Sequence, residues 1–181
     1  MADELFSLIY NKALDLISRR EHSKKELKDK LLKRFEENDL INQVIEKLES
    51  NDLINNYRFA EMYVMSRKRK GFGPKKISYE LLTKGVCEST AQEIIDNQGE
   101  WADLARIVFM KKFKNGPSEE FKEKIKQKSF LQNRGFSFKE IESVFLNDML
   151  WFFAMSYEVL ARNIDQSTFK KLLDKTILLK L

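Results

Sequence analysis

The sequence predicts an all-α protein made of tandem three-helix repeats, and three observations carry that prediction. Only two prolines and six glycines occur among 181 residues, 43% of them hydrophobic and 34% charged, a composition suited to helices rather than turn-rich sheets. A shift of 50 residues superposes apolar positions three times: Leu31 on Leu81 and Leu131, Ile41 on Ala91 and Ile141, Val44 on Ile94 and Val144, Ile45 on Ile95 and Phe145. Helix start and stop signals recur in the same register.

The first unit is expected over residues 1–54. A helix spans roughly 5–20, and Ser23-Lys24-Lys25-Glu26 then has the capping-box form in which side chains at N-cap and N3 satisfy two orphan backbone donors. That second helix carries Leu31 and ends near Phe35, and a third begins with Ile41, Val44 and Ile45 at helical spacing. The second unit, 55–99, opens with a helix over about 56–70. Gly73-Pro74 lies 50 residues after Ser23-Lys24 and places proline at the first helical position, where its missing N–H costs nothing. Gly85 suits the left-handed end of that helix, and Ser89-Thr90-Ala91-Gln92 has the form of the next start. In the third unit, 100–147, a helix over about 101–114 meets a break at Asn115-Gly116-Pro117-Ser118. Leu131 and Gly135 then mark the second helix, and Ser137-Phe138-Lys139-Glu140 opens the third. Gln127 stands where Leu27 and Ile77 stand in the earlier units. The remainder, 148–181, is apolar at its start (Met149 to Phe153) and end (Ile177 to Leu181), and reads as a helical C-terminal tail of two helices clasping the third unit. Units this short are marginal alone, so neighbours are expected to stabilise one another.

Composition excludes several functions. Asp3 and Glu4 occupy the place of a signal peptide's basic residues, and the longest apolar run, Met149 to Met155, falls far short of the ~18 residues of a spanning helix, so a cytoplasmic protein with no membrane partner is expected. The single cysteine, Cys87, cannot form an internal disulfide and reads as a buried small side chain. The single histidine, His22, reads as an exposed loop residue. Without a nucleophile–base pair or a ligand cluster, neither catalysis nor a metal or other cofactor is expected. Gly71-Phe72-Gly73-Pro74-Lys75-Lys76 follows a helix rather than a strand and lacks phosphate-loop spacing.

Charge points to binding. Residues 1–54 hold 10 basic and 12 acidic groups, 55–99 hold 8 and 5, 100–147 hold 10 and 7, and 148–181 hold 5 and 4, so the excess lies in the middle and third units. Arg58, Arg67, Lys68, Arg69, Lys70, Lys75, Lys76 and Lys84 face only Glu61 and Glu80 within the stretch 58–84. Projection at 100° per residue puts Phe59, Ala60, Tyr63 and Val64 on the core arc and Arg58, Lys68 and Arg69 outside it. Arg67 projects near the core and must find an acid or a carbonyl. Arg67 to Lys70 also complement the dipole at a helix C-terminus, worth ~0.3–1 kcal/mol each. That accounts for one or two cations; the eight together suit contact with DNA or an acidic protein groove, with Tyr57, Phe72 and Tyr79 near enough to stack on bases.

The same residues resemble RecX, the bacterial family that regulates the RecA recombinase. The second unit carries most of the likeness, in Arg58-Phe59-Ala60, Tyr63-Val64, Arg67, Gly71, Gly73, Ile77, Glu80-Leu81 and Lys84-Gly85-Val86, with Asn56 at a place where the pattern has an acid. The first unit is similar through Ala13, Arg19-Arg20, Ser23, Glu26-Leu27, Leu31, Leu48 and Leu53, and the third through Phe130-Leu131, Arg134-Gly135-Phe136, Ile141 and Val144. The resemblance implies a monomeric, non-enzymatic regulator that lies along the groove of the RecA–DNA filament and limits ATP hydrolysis and strand exchange, with single- or double-stranded DNA met there. The alternative is a helical DNA-binding module that acts without RecA, since three-helix units with a tight second turn also describe helix-turn-helix domains.

Overall fold

The structure, a computed structural model, describes residues 2–146, and every regular element among them is helical. The tail expected over 148–181 lies outside the described residues. In chain order the helices are α1 (Ala2–Ile17), α2 (Lys24–Leu32), α3 (Asn38–Ser50), α4 (Asn56–Arg69), α5 (Pro74–Thr83), α6 (Glu88–Gln98), α7 (Trp101–Lys112), α8 (Phe121–Asn133) and α9 (Phe138–Leu146).

Three separate apolar cores sort these helices into threes. Ile9, Ala13, Leu27, Leu31, Ile41, Val44 and Leu48 close the first; Phe59, Ala60, Val64, Ile77, Leu81, Ala91 and Ile94 the second; Ala105, Phe109, Leu131, Phe136, Ile141 and Val144 the third. In each triplet the third helix packs on both others, which is what its apolar residues at i, i+3 and i+4 provide. Gln127 interrupts the pattern with a purpose. Buried at the place of Leu27 and Ile77, it accepts the Ser118 N–H at 3.0 Å and donates to the Gly116 carbonyl at 3.2 Å, pinning the turn that enters α8.

The triplets are joined by one device used twice. The end of α5 meets the start of α2, and the end of α8 meets the start of α5. At the first junction the Ser23 hydroxyl donates to the Lys84 carbonyl at 2.7 Å, and Asn56 bridges the gap by accepting the Lys24 N–H (3.0 Å) and donating to the Gly85 carbonyl (3.2 Å). An acid at position 56 could accept the Lys24 N–H but could not donate to the Gly85 carbonyl, so the amide adds one hydrogen bond across the junction. At the second junction backbone does the work directly: Gly73 N–H donates to the Arg134 carbonyl at 2.8 Å and Lys75 N–H to the Gly135 carbonyl at 3.0 Å. Gly85 and Gly135 both hold φ near +80 to +90° (80° and 89°), so each helix ends in the left-handed turn that lets its last carbonyls point at the preceding unit. The helices α8, α5 and α2 thus run end to end, with terminal carbonyls of one near the orphan amides of the next.

Two starts differ in detail from expectation. Ser23 does cap α2, accepting the Glu26 N–H at 3.0 Å, but the Glu26 carboxylate turns to Arg20 instead of closing the box. The start of α6 lies at Glu88 with Cys87 at N-cap, two residues before the Ser89 expected there. Cys87 lies 50 residues before Ser137, which does form the reciprocal box with Glu140, so the repeat register outranked the local capping signal.

Candidate functional site

The basic stretch 58–84 comprises all of α4 but its first two residues, the turn Lys70 to Gly73, and α5 with its C-cap Lys84. The structure divides its eight cations sharply. Four are committed to holding the fold. Arg67 reaches over from α4 and clamps Glu80 of α5 through both Nε (2.6 Å) and Nη2, while Glu80 also accepts the Tyr63 hydroxyl at 2.9 Å. Burial, together with that hydrogen bond, pushes the Tyr63 phenol up to about 12. Arg58 crosses to the first unit, pairing with Glu21 at 2.6 Å and with Asp52 at 3.2 Å. Lys84 lies 3.7 Å from Glu26 and 5.3 Å from the Tyr63 ring centroid. Lys68, projected outward, curls back to donate to the carbonyls of Gln98 and Gly99 at 2.9 and 3.0 Å, capping the end of α6.

A fifth, Lys76, sits over the Phe72 ring at 4.9 Å. Phe72 is therefore not free to stack on a base. The Arg67 guanidinium covers it at 4.0 Å, and Arg134 of the third unit stands 5.7 Å away. Arg134 also donates to the carbonyls of Lys70 (3.3 Å) and Gly71 (3.2 Å), bringing a further cation to the turn. Arg134 belongs to the third unit in sequence, and its place 50 residues after Lys84 is the signal that it ends a helix at a junction.

Arg69, Lys70 and Lys75 remain. All three are exposed, and none makes an ion pair or side-chain hydrogen bond among the described residues. They flank the Gly-Phe-Gly turn from its two sides, Arg69 and Lys70 at the end of α4 and Lys75 in the first turn of α5. The only acid of α5, Glu80, is held inward by Arg67, so it leaves this face uncompensated. Such a surface can hold phosphates or carboxylates as point charges.

Two residues set aside in the sequence take different places. His22 is buried, not exposed: its Nδ1 lies 2.9 Å from the Arg20 carbonyl and its Nε2 2.8 Å from Lys30 Nζ, a pattern that fits a neutral ring donating at one nitrogen and accepting at the other. Burial lowers its pKa, with Arg20 and Lys30 acting in the same direction. The turn before α2 is folded under the first unit, so a polar neighbourhood in sequence became an interior in space. Cys87 is exposed rather than buried, at the N-cap of α6, and hydrogen bonds with Ser89 and Thr90 pull its thiol down to about 7.

The arrangement has counterparts. Residues 10–48, 55–95 and 99–145 match the models for the first, second and third three-helix domains of RecX, in that order. The chain is 35% identical over 132 residues to Regulatory protein RecX of Halorhodospira halophila, covering 72% of this chain and 82% of that protein. It is likewise 35% identical over 146 residues to the Legionella pneumophila protein of the same name, covering 76% and 97%. Among solved structures, the crystal structure of RecX from Lactobacillus salivarius superposes with a TM-score of 0.69 at 27% identity, over 81% of this chain and 97% of that one.

Proposed function

The chain belongs to the RecX family of regulatory proteins, and from that premise we propose that it binds the filament of a RecA recombinase on DNA and restrains its ATP hydrolysis and strand exchange. One observation supports the reading above the rest: while Arg58, Arg67, Lys68 and Lys84 engage the protein's own acids, rings and carbonyls, Arg69, Lys70 and Lys75 stand around one turn as exposed cations with no partner among the described residues. They are the contact set we assign to the filament, with Lys76 and Arg134 beside them. The committed four act as positioning residues that fix the turn. The mode is binding without chemistry, by a monomer in the cytoplasm, whose end-to-end units offer extended surface to a repeating partner.

The test compares retention of the protein by RecA assembled on single-stranded DNA with retention by RecA alone and by DNA alone, and follows the DNA-dependent ATPase alongside. Retention by the assembled filament with a falling ATPase rate is expected. Undiminished ATPase at equimolar protein in low salt overturns the reading, and equal retention on DNA without RecA favours the independent DNA-binding module instead.

A further inference from the structure

Tyr79 is the one described tyrosine whose ring and hydroxyl have no partner among the described residues. Tyr10 stacks on Phe6 at 6.1 Å, the Tyr57 hydroxyl donates to Glu93 at 3.2 Å, and Tyr63 is locked to Glu80. Tyr79 by contrast is 69% exposed, in the middle of a well-formed helix whose opposite side, Ile77 and Leu81, is fully buried. A large aromatic exposed on a helix costs apolar surface, and no ring or hydrogen-bond partner among the described residues offsets that cost.

Its neighbours decide what it suits. At 100° per residue Lys75, Tyr79 and Leu82 fall within about 60° of one another, and all three are exposed. The unpaired cations Arg69 and Lys70 stand at the turn just before this helix, and no acid points outward from α5. The arrangement is particular to the middle unit. Fifty residues earlier and later the place of Tyr79 is taken by Asp29 and Ser129, and the place of Lys75 by Lys25, whose ammonium is engaged by the Thr83 carbonyl, and Ile125. An aromatic plane one helical turn from an unpaired ammonium is the combination that holds an unstacked base and its backbone phosphate together. A duplex offers the phosphates but keeps its bases stacked on one another.

We infer that Tyr79 is a stacking platform for a base of single-stranded DNA, with Lys75 holding the adjacent phosphate, so that the second unit discriminates strands with free bases from duplex. This rests on the reading of Lys75 and its neighbours as the DNA-facing set, and goes beyond it by making direct base contact a property of this chain.

The full-length protein is titrated into a fluorescent oligothymidylate, the same backbone carrying abasic sites, and a duplex, with Tyr79→Ala, Tyr79→Trp and Lys75→Ala alongside and folding checked by thermal melting. Tyr79→Ala is expected to weaken oligothymidylate binding about 5- to 100-fold, with Tyr79→Trp retaining it. The loss is expected to vanish on the abasic strand and on duplex. Because stacking releases no counterions, Tyr79→Ala leaves the salt slope unchanged, whereas Lys75→Ala lowers it by roughly 0.7. Unaltered binding by Tyr79→Ala, or an equal loss on all three nucleic acids, overturns the inference. So does wild-type protein that binds filaments but not single-stranded DNA, an outcome that leaves the proposed regulation of the filament standing.

Discussion

Gly73 and Gly135 press backbone against backbone across the junction of the second and third units: a Cβ on Gly73 would lie 2.5 Å from the carbonyl carbon of Gly135, beside the hydrogen bond from Gly73 N–H to the Arg134 carbonyl. The candidate turn is therefore built by two units, and its shape depends on a contact with no room for a side chain.

Gly73→Ala should separate the units. Gly73 has an ordinary φ of −85°, so the cost is steric, and about 1–3 kcal/mol is expected from forcing the helix ends apart. Gly116→Ala is the matched control, since its φ of +80° adds strain but its Cβ meets nothing within 4 Å, and only about 1 kcal/mol should be lost. Urea unfolding of both variants checks the difference, and filament retention should fall only for Gly73→Ala.

The cations should divide into two functional classes. Reversing Arg69, Lys70 and Lys75 to Glu should abolish most filament retention while the thermal midpoint moves little, because exposed unpaired charges contribute at most ~1 kcal/mol to folding. Arg67→Ala should do the opposite first, costing about 1–3 kcal/mol by leaving Glu80 half-buried without its guanidinium. Melting curves and the retention assay, run on the same samples, separate the two.

Acid should loosen the first unit through His22. Its folded pKa lies below the ordinary 6.5 because burial and the cations Arg20 and Lys30 oppose a charged ring. The unfolded chain then binds the proton more readily, so stability is complete above about pH 6.5 and is lost as pH falls through the folded value. Glu26, held down to about 2 by Arg20, does not titrate in that window. Denaturation midpoints measured from pH 8 to 5 should fall on the acid side for the wild type, and the slope between pH 6.5 and 5.5 should flatten in His22→Gln.

Gln127→Leu restores the apolar residue found at Leu27 and Ile77, yet it should destabilise by about 1–2 kcal/mol. The Ser118 N–H and Gly116 carbonyl would lose the amide that satisfies both. A rise in the melting temperature instead would show that the turn finds other partners.

The amino-acid sequence already carries the helices and their grouping, because apolar spacing at 3.6 residues and a 50-residue period are local or repeated signals that three copies reinforce. Leu31, Leu81 and Leu131 each lie fully buried, and Gly85 and Gly135 each turn left-handed, as their places in the repeat require. It also located the positive charge. Which cations are free was decided only in three dimensions. Arg58 finds Glu21 some 37 residues away, Lys68 finds carbonyls 30 and 31 residues on, and Arg134 returns across more than 60 residues to the turn at Gly71. Long side chains choose partners by distance in space, and a helix wheel fixes only direction from one axis. For the same reason His22 went inside and Cys87 outside: burial depends on what the neighbouring helices cover, which no single stretch of sequence records.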